Sequence, residues 1–396
     1  MNLQSRPKPS IYGVHGVAYN QAGLVPSVGG VHYQTPIITS SPEDPAISHL
    51  APPHHRNPMP PIPPHVNPLP RLITYYQTHH DPSGNPISIL PLVTQPSISI
   101  THVILAAIHI NSRPQDLTLN DYPPNHPRFQ TLWAELRVLQ ASGVKVLGLL
   151  GGAAKGSYAR LDGSHEQFES FYGPLRELVL ERGLDGLDLD VEEPMTLGGI
   201  IRLIDRLRTD FGKTFIITMA PVAMAMLDPT KNLSGFDYEA LEVMRGREIA
   251  WYNTQFYCGW GNLSNTLMYD LMLQKGWSPD KIVIGVVTNP ANGHGFVDWE
   301  MLSAVLGILH RRHQNFGGVM GWEYFNSLPG DASRPWEWAG NLSSLLRGHS
   351  LMPVSTTLAE QTQATKAIEV DPDPLNNRLL EVPKEFEYYS DGNSDT

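Results

Sequence analysis

One segment, Gly183-Leu-Asp-Gly-Leu-Asp-Leu-Asp-Val-Glu-Glu-Pro194, sets Asp188, Asp190 and Glu192 at alternate positions with Leu187, Leu189 and Val191 between and before them. Side chains of a β-strand alternate between its two faces, so the carboxylates share one face and the aliphatic residues the other. Two-residue steps space the carboxylates by ~7 Å along the backbone, with Glu192 last. Three negative charges this close in a poorly solvated interior do not all ionise, and at least one proton is retained or shared. A carboxyl that keeps its proton at a strand end is what general acid catalysis requires. The alternative chemistry is a divalent metal site, with His109 and Asp228 as candidate further ligands. The strict alternation favours acid–base chemistry, and no metal or other cofactor is expected. Glu193 falls on the face opposite Glu192 and is expected to serve the structure.

Such a ladder needs a strand buried on both faces and open at one end. Short apolar runs at 72–77, 102–108, 145–150, 186–191, 215–219, 249–256, 281–287 and 317–321 read as strands. Amphipathic stretches at 129–140, 166–181, 197–211, 267–275 and 301–310 read as intervening helices. Eight strands alternating with helices over ~250 residues predict an α/β fold of the closed (β/α)8, or TIM-barrel, type. No GxGxxG or GxxxxGKS/T phosphate loop follows a strand, which counts against an open doubly wound sheet. In a barrel the chemistry sits at the C-terminal strand ends, where the fourth run carries Glu192.

The chain has 396 residues, 41% of them apolar, which suffices for one large core. Its 28 basic and 39 acidic side chains give a net charge of −11, against nucleic acid or an anionic membrane as partner. Fifteen of the 35 prolines and six of the 16 histidines lie in residues 1–70, which reads as a disordered Pro/His-rich extension. His54–His55 in that stretch has no rigid frame for metal binding. Residues 350–396 carry nine acidic and three basic side chains and read as a disordered acidic tail, leaving 71–349 as the catalytic barrel. The single cysteine, Cys258, permits no intramolecular disulfide. The first residues lack an apolar signal core, so a cytoplasmic location is expected, with secretion as the alternative. A monomer is the favoured oligomeric state.

The ladder DGLDLDVE, with Asp185, Gly186, Asp188, Asp190 and Glu192, resembles the DGxDxDxE signature of glycoside hydrolase family 18, the chitinases and endo-β-N-acetylglucosaminidases. The segments RLITYYQTHHD (71–81), LNDYPPNHPRFQTLW (119–133), GGAAKGS (151–157), WYNTQFYCGWG (251–261) and GGVMGWEYFNSLPG (317–330) resemble its fungal endo-β-N-acetylglucosaminidase branch. The resemblance implies a retaining, substrate-assisted reaction in which the sugar's own 2-acetamido group is the nucleophile. It makes Glu192 the acid and later the base, Asp190 the partner of the acetamido N–H, and Asp188 the residue that shares a proton with Asp190. By the same likeness Tyr257 binds the acetamido carbonyl, Gln255 accompanies it, and Trp322 floors the reacting subsite. Trp260 and Tyr75 are further candidates for sugar contact, with Glu323 beside them. The implied substrate is an N-glycan or another GlcNAc oligosaccharide, cut between the two core GlcNAc units. The alternatives are a chitinase and an inactive, lectin-like barrel. Two positions depart from the family pattern: Leu149 stands where a serine is common in SxGG, and Cys258 where an asparagine often follows the tyrosine.

Overall fold

The computed structural model describes residues 69–348. Nearly all of the two expected extensions, His54–His55 included, lies outside the described residues. Eight parallel strands close into a barrel: β1 (Arg71–Tyr76), β2 (His102–Ile110), β4 (Lys145–Gly151), β5 (Gly186–Asp190), β6 (Ile216–Met219), β7 (Trp251–Gln255), β8 (Ile282–Val287) and β9 (Gly318–Trp322). Closure is explicit, because β1 pairs with β9 (Thr74 beside Gly321) and with β2 (Tyr76 beside Leu105). A ninth strand, β3 (Leu117–Leu119), runs antiparallel along the end of β2. It has only three residues, too few to show a period in sequence.

Helices α1 (Pro91–Thr94), α2 (Gln130–Ala141), α3 (Ser157–Leu161), α4 (His165–Arg182), α5 (Leu197–Phe211), α6 (Tyr238–Arg245), α7 (Leu267–Gln274), α8 (Trp299–Arg312) and α9 (Glu337–Arg347) complete the connections. The α5 segment shows why these positions were readable. Thr196 caps the first turn by accepting from Gly199 N, and Ile200, Leu203, Ile204 and Leu207 repeat at helical spacing, each fully buried. Gly212, at φ 73°, ends it. The α6 helix escapes the same reading because its eight residues bury only Tyr238 and Leu241.

The core has two layers of different character. Leu187, Leu189 and Val191 pack outward into the large cluster between barrel and helices. The barrel interior is a separate cluster that includes Ile73, Tyr75, Ile104, Leu147, Leu149, Trp251, Val283 and Met320. At its closed end the Arg71 guanidinium stacks 4.3 Å over Trp251, and the His102 ring meets the same indole at 4.7 Å. Burial, reinforced by Arg71 and Lys145, holds His102 neutral with its pKa lowered to about 3. Among the described residues no helix is long and apolar enough to cross a membrane.

Candidate active site

The ladder stands at the open end of the barrel, as the alternation requires. Asp188 is fully buried, Asp190 is 6% exposed, and Glu192 lies two residues beyond the end of β5, half-buried at the mouth. Asp188 Oδ1 accepts from Thr218 Oγ1 at 2.6 Å and Asn253 Nδ2 at 3.0 Å, while Oδ2 accepts from Tyr75 Oη at 2.7 Å. Burial raises the pKa of Asp188, and these three donors oppose the rise by favouring the carboxylate. Asp190 has one side-chain donor, Gln255 Nε2 at 3.2 Å, which also reaches Glu192 Oε1 at 3.3 Å and Ala220 O at 2.9 Å. Burial first, then the Glu192 and Asp188 charges, push Asp190 well above the usual carboxylate range. Burial likewise raises Glu192, against the single donor Gln255. All three carboxyls are raised, Asp190 most strongly, while hydrogen-bond donors are concentrated on Asp188, and Asp190 and Glu192 share one amide.

Close backbone approach makes this possible. Gly151 and Gly152, at φ 98° and 83°, end β4 against Asp190, and Gly152 N donates to Asp190 O at 2.9 Å. A Cβ at position 151 would lie 2.5 Å from Asp190 O and from the Tyr158 ring, so only glycine fits there. Just beyond, Glu193 turns away from Glu192 and accepts from Gly156 N and Tyr158 N at 2.7 Å each, pinning the loop after β4. On the other side, Glu323 accepts from Gln77 N, Thr78 N and Thr78 Oγ1, tying β9 to the end of β1. Both buried carboxylates are thus committed to backbone donors.

The structure brings most of the expected residues together and changes the place of two. Tyr257 is buried beside the ladder, its hydroxyl pushed well above its ordinary pKa by burial and then by Asp190 and Glu192. Trp322 and Trp260 are half-buried at the ends of β9 and β7, packed against the barrel-interior cluster. Tyr75, expected as a sugar contact, is instead 1% exposed beneath Trp322 (centroids 5.4 Å apart) and spends its hydroxyl on Asp188. Its hydroxyl is committed to that carboxylate. Gln255, expected beside Tyr257 as an acetamido contact, is 3% exposed and directs its amide N–H groups at Asp190, Glu192 and Ala220. The hydroxyl absent at Leu149 has counterparts in Tyr75 and Thr218, both donating to Asp188.

Thr218 and Asn253 were not singled out in the sequence, although each is a polar residue on the inward parity of an apolar strand and was open to the argument used for Asp188. Asp228 accepts from Thr230 as a local cap, and His109 lines a neighbouring cleft, so neither joins the carboxylates. Among the described residues no group of three or more His, Cys, Asp or Glu side chains could hold a metal ion. That cleft, of about 550 Å³, opens at the same mouth over the ends of β1, β2 and β4, lined by Gln77, His80, His109, Asn111, Asn120, Asp121, Tyr122, Arg128 and Lys155 among others.

Comparison with known proteins agrees with this geometry. A fungal endo-β-N-acetylglucosaminidase of glycosyl hydrolase family 18 is 48% identical over 71% of this chain and 99% of its own, with a TM-score of 0.69. A chitinase from Aspergillus fumigatus is 54% identical over 69% of this chain and 98% of its own, with a TM-score of 0.64. Chitinase 2 of Rhizopus oligosporus is 28% identical over 230 residues, 54% of this chain but 38% of that protein's length. The chain spans 44% of Chitinase 1 of Rhizopus niveus, so it matches less than half of either curated relative. The model of the glycosyl hydrolases family 18 matches residues 71–298, from the first barrel strand to the last residue before α8, and the chain belongs to that family.

Proposed function

We propose that the protein is an endo-β-N-acetylglucosaminidase that hydrolyses the β-1,4 bond between the two GlcNAc units of an N-glycan core by a retaining, substrate-assisted reaction. One observation carries the mechanism: among the described residues, no buried carboxylate at the mouth other than those of the ladder is free of backbone partners. An ordinary retaining glycosidase sets a nucleophilic carboxylate ~5 Å across the reacting carbon from its acid. Here Asp188 and Asp190 lie on the acid's own strand, and the other two buried carboxylates at the mouth, Glu193 and Glu323, are occupied by backbone N–H groups. The substrate's 2-acetamido oxygen supplies the missing nucleophile. Glu192 gives its proton to the departing oxygen as the acetamido oxygen closes on the anomeric carbon. Asp190 accepts the acetamido N–H through its unprotonated oxygen, the Asp188–Asp190 pair with its one shared proton offsets the charge of the oxazolinium ion, Tyr257 aims the carbonyl, and Trp322 stacks on the apolar face of the ring. Glu192 then takes a proton from the water that opens the oxazolinium, which restores the configuration.

The 48% identity over nearly the full length of the fungal endo-β-N-acetylglucosaminidase supports the N-glycan reading. Half of the cleft lining is amides, imidazoles and cationic side chains, groups that can hydrogen-bond further sugars of either an N-glycan or chitin. The second reading, a chitinase, is favoured by the 54% identity to the Aspergillus fumigatus chitinase and uses the same catalytic groups. A cytoplasmic site of action, on free oligosaccharides or misfolded glycoproteins, belongs to the first reading. The test is incubation with a high-mannose glycopeptide and, separately, with chitin oligomers, with mass analysis of both products. A glycopeptide left with one GlcNAc supports the proposal. Cleavage of chitin oligomers alone selects the chitinase, and cleavage of neither refutes both.

A further inference from the structure

We propose that Asn253, locked in one orientation by the Trp251 indole, is a positioning residue that keeps Asp188 ionised so that the proton of the aspartate pair resides on Asp190. The inference rests on the substrate-assisted reading and concerns groups outside its catalytic set. A carboxamide can present either its oxygen or its nitrogen to a neighbour, and the choice decides whether Asp188 meets a donor or an acceptor. Trp251 removes the choice. An indole N–H only donates, and Trp251 Nε1 donates to Asn253 Oδ1 at 2.9 Å. The Asn253 nitrogen must then face Asp188 Oδ1, at 3.0 Å. Trp251, Asn253 and Asp188 are all fully buried, so water cannot substitute for any of these bonds.

The indole is itself held in place, by the Arg71 guanidinium on its face and the His102 ring against it. A chain of rigid contacts thus runs from the closed end of the barrel to the carboxylates. The hydroxyls of Thr218 and Tyr75 can rotate and could accept a proton from a neutral Asp188, whereas the Asn253 N–H cannot. Asn253 is therefore the one partner of Asp188 that can never accept from it: it bars a proton from Oδ1 and, as a fixed donor, favours the anion over the neutral acid. The ionisable groups facing Asp188 are Asp190 and Glu192 on its own strand, Tyr75 from β1, Tyr158 from α3, Tyr238 from α6 and Tyr257 after β7. The four tyrosines are held neutral by burial, so the competition for protons is among the carboxylates.

The test uses the full chain in two variants. Asn253→Leu removes both hydrogen bonds with the same branching but a larger side chain, and Trp251→Phe keeps an aromatic ring but frees the amide to flip. A carboxylate that loses a donor gains proton affinity, so the acid limb of the kcat/KM profile should move up by about one pH unit in Asn253→Leu and by less in Trp251→Phe. kcat should fall at least ~10-fold in Asn253→Leu while KM stays within about threefold, since the sugar contacts are untouched. Difference infrared spectra of the unliganded protein, with Asp188→Asn assigning the carboxyl band, read the same titration without turnover. That arm keeps failure of this inference apart from failure of the substrate reading. An unmoved Asp188 titration and acid limb in folded Asn253→Leu, with only the melting temperature lowered, would overturn the proposal.

Discussion

Replacing Glu192 by glutamine removes one proton and almost no volume, so its consequences can be followed group by group. Glu192 Oε1 lies 3.3 Å from the Gln255 amide, a contact that a glutamine oxygen preserves, and the fold should persist. Loss of general acid catalysis costs ~10²–10⁴-fold, or ~3–5 kcal/mol of transition-state stabilisation. That loss depends on the leaving group. A sugar hydroxyl departs poorly without a proton, whereas a dinitrophenolate departs unaided. With a dinitrophenyl glycoside of di-GlcNAc, Glu192→Gln should form the oxazolinium at a rate close to the parent enzyme. Turnover would then stall at water attack, for which Glu192 is the base, and added azide should restore it by opening the oxazolinium without a base. Initial rates on the natural-type and activated substrates, each with and without azide, give four numbers per protein. Equal losses on both substrates, or no response to azide, would show that Glu192 is not the acid–base. In the parent enzyme the raised pKa of Glu192 places the alkaline limb of the profile above the ordinary carboxylate range, and that limb should vanish for the activated substrate in the first step.

Replacing the reacting GlcNAc by glucose removes the internal nucleophile, so the glucose analogue should show no turnover, and a thiazoline mimic should bind at least ~10²-fold tighter than substrate; measurable hydrolysis of the analogue would restore an enzymic nucleophile. Asp190→Asn should abolish most activity yet raise the melting temperature at pH 7. The folded pKa of Asp190 lies above its unfolded value, so stability is lost as pH rises from about 4 through the folded value, and the variant escapes that loss. A melting temperature unchanged at pH 7 would contradict the raised pKa of Asp190. Glu193→Ala leaves the Gly156 and Tyr158 N–H groups without their carboxylate and should cost ~2–4 kcal/mol in denaturant titration. An unaltered midpoint would mean that the loop after β4 does not depend on this clamp.

Strand periodicity made the barrel legible, because strands buried on both faces stand out as apolar runs and their helices carry a 3.6-residue stripe. The same parity argument exposed Asp188, Asp190 and Glu192, since a carboxylate on an inward position has no cheap structural explanation. It does not single out Thr218, whose type is common in strands, and it passes over Asn253, which carries no charge although asparagine is uncommon in strands. The burial of Tyr75 is hidden for a related reason: sequence tells which face of β1 it occupies, but not how deep in the barrel that face is filled. Depth is set by the stagger of neighbouring strands, which pairs Tyr75 with Ile104 and so sinks it under Trp322. The cleft was invisible for the opposite reason. It is walled by β3, by the segment after it and by the loop after β4, and a three-residue strand has no period to read.

The site divides its labour by layer. The lowest inward positions, Arg71, His102 and Trp251, plug the barrel with a stacked cation, a neutral imidazole and an indole whose one donor points upward. The layer above holds an anion, Asp188, under three donors from β1, β6 and β7. The layer above that has a single amide, Gln255, for two carboxyls, and so keeps protons there. Donor supply falls toward the mouth, and the strongest rise in proton affinity falls on Asp190, the carboxyl flanked by the other two. This gradient requires no charge from outside the barrel. It follows from which strand offers a hydroxyl or amide at which height, and it delivers a proton to Glu192, where a departing sugar oxygen can reach it. The two outlying carboxylates, Glu193 and Glu323, tie down the rims on either side by holding backbone N–H groups, so the gradient is framed by loops with their own buried anchors.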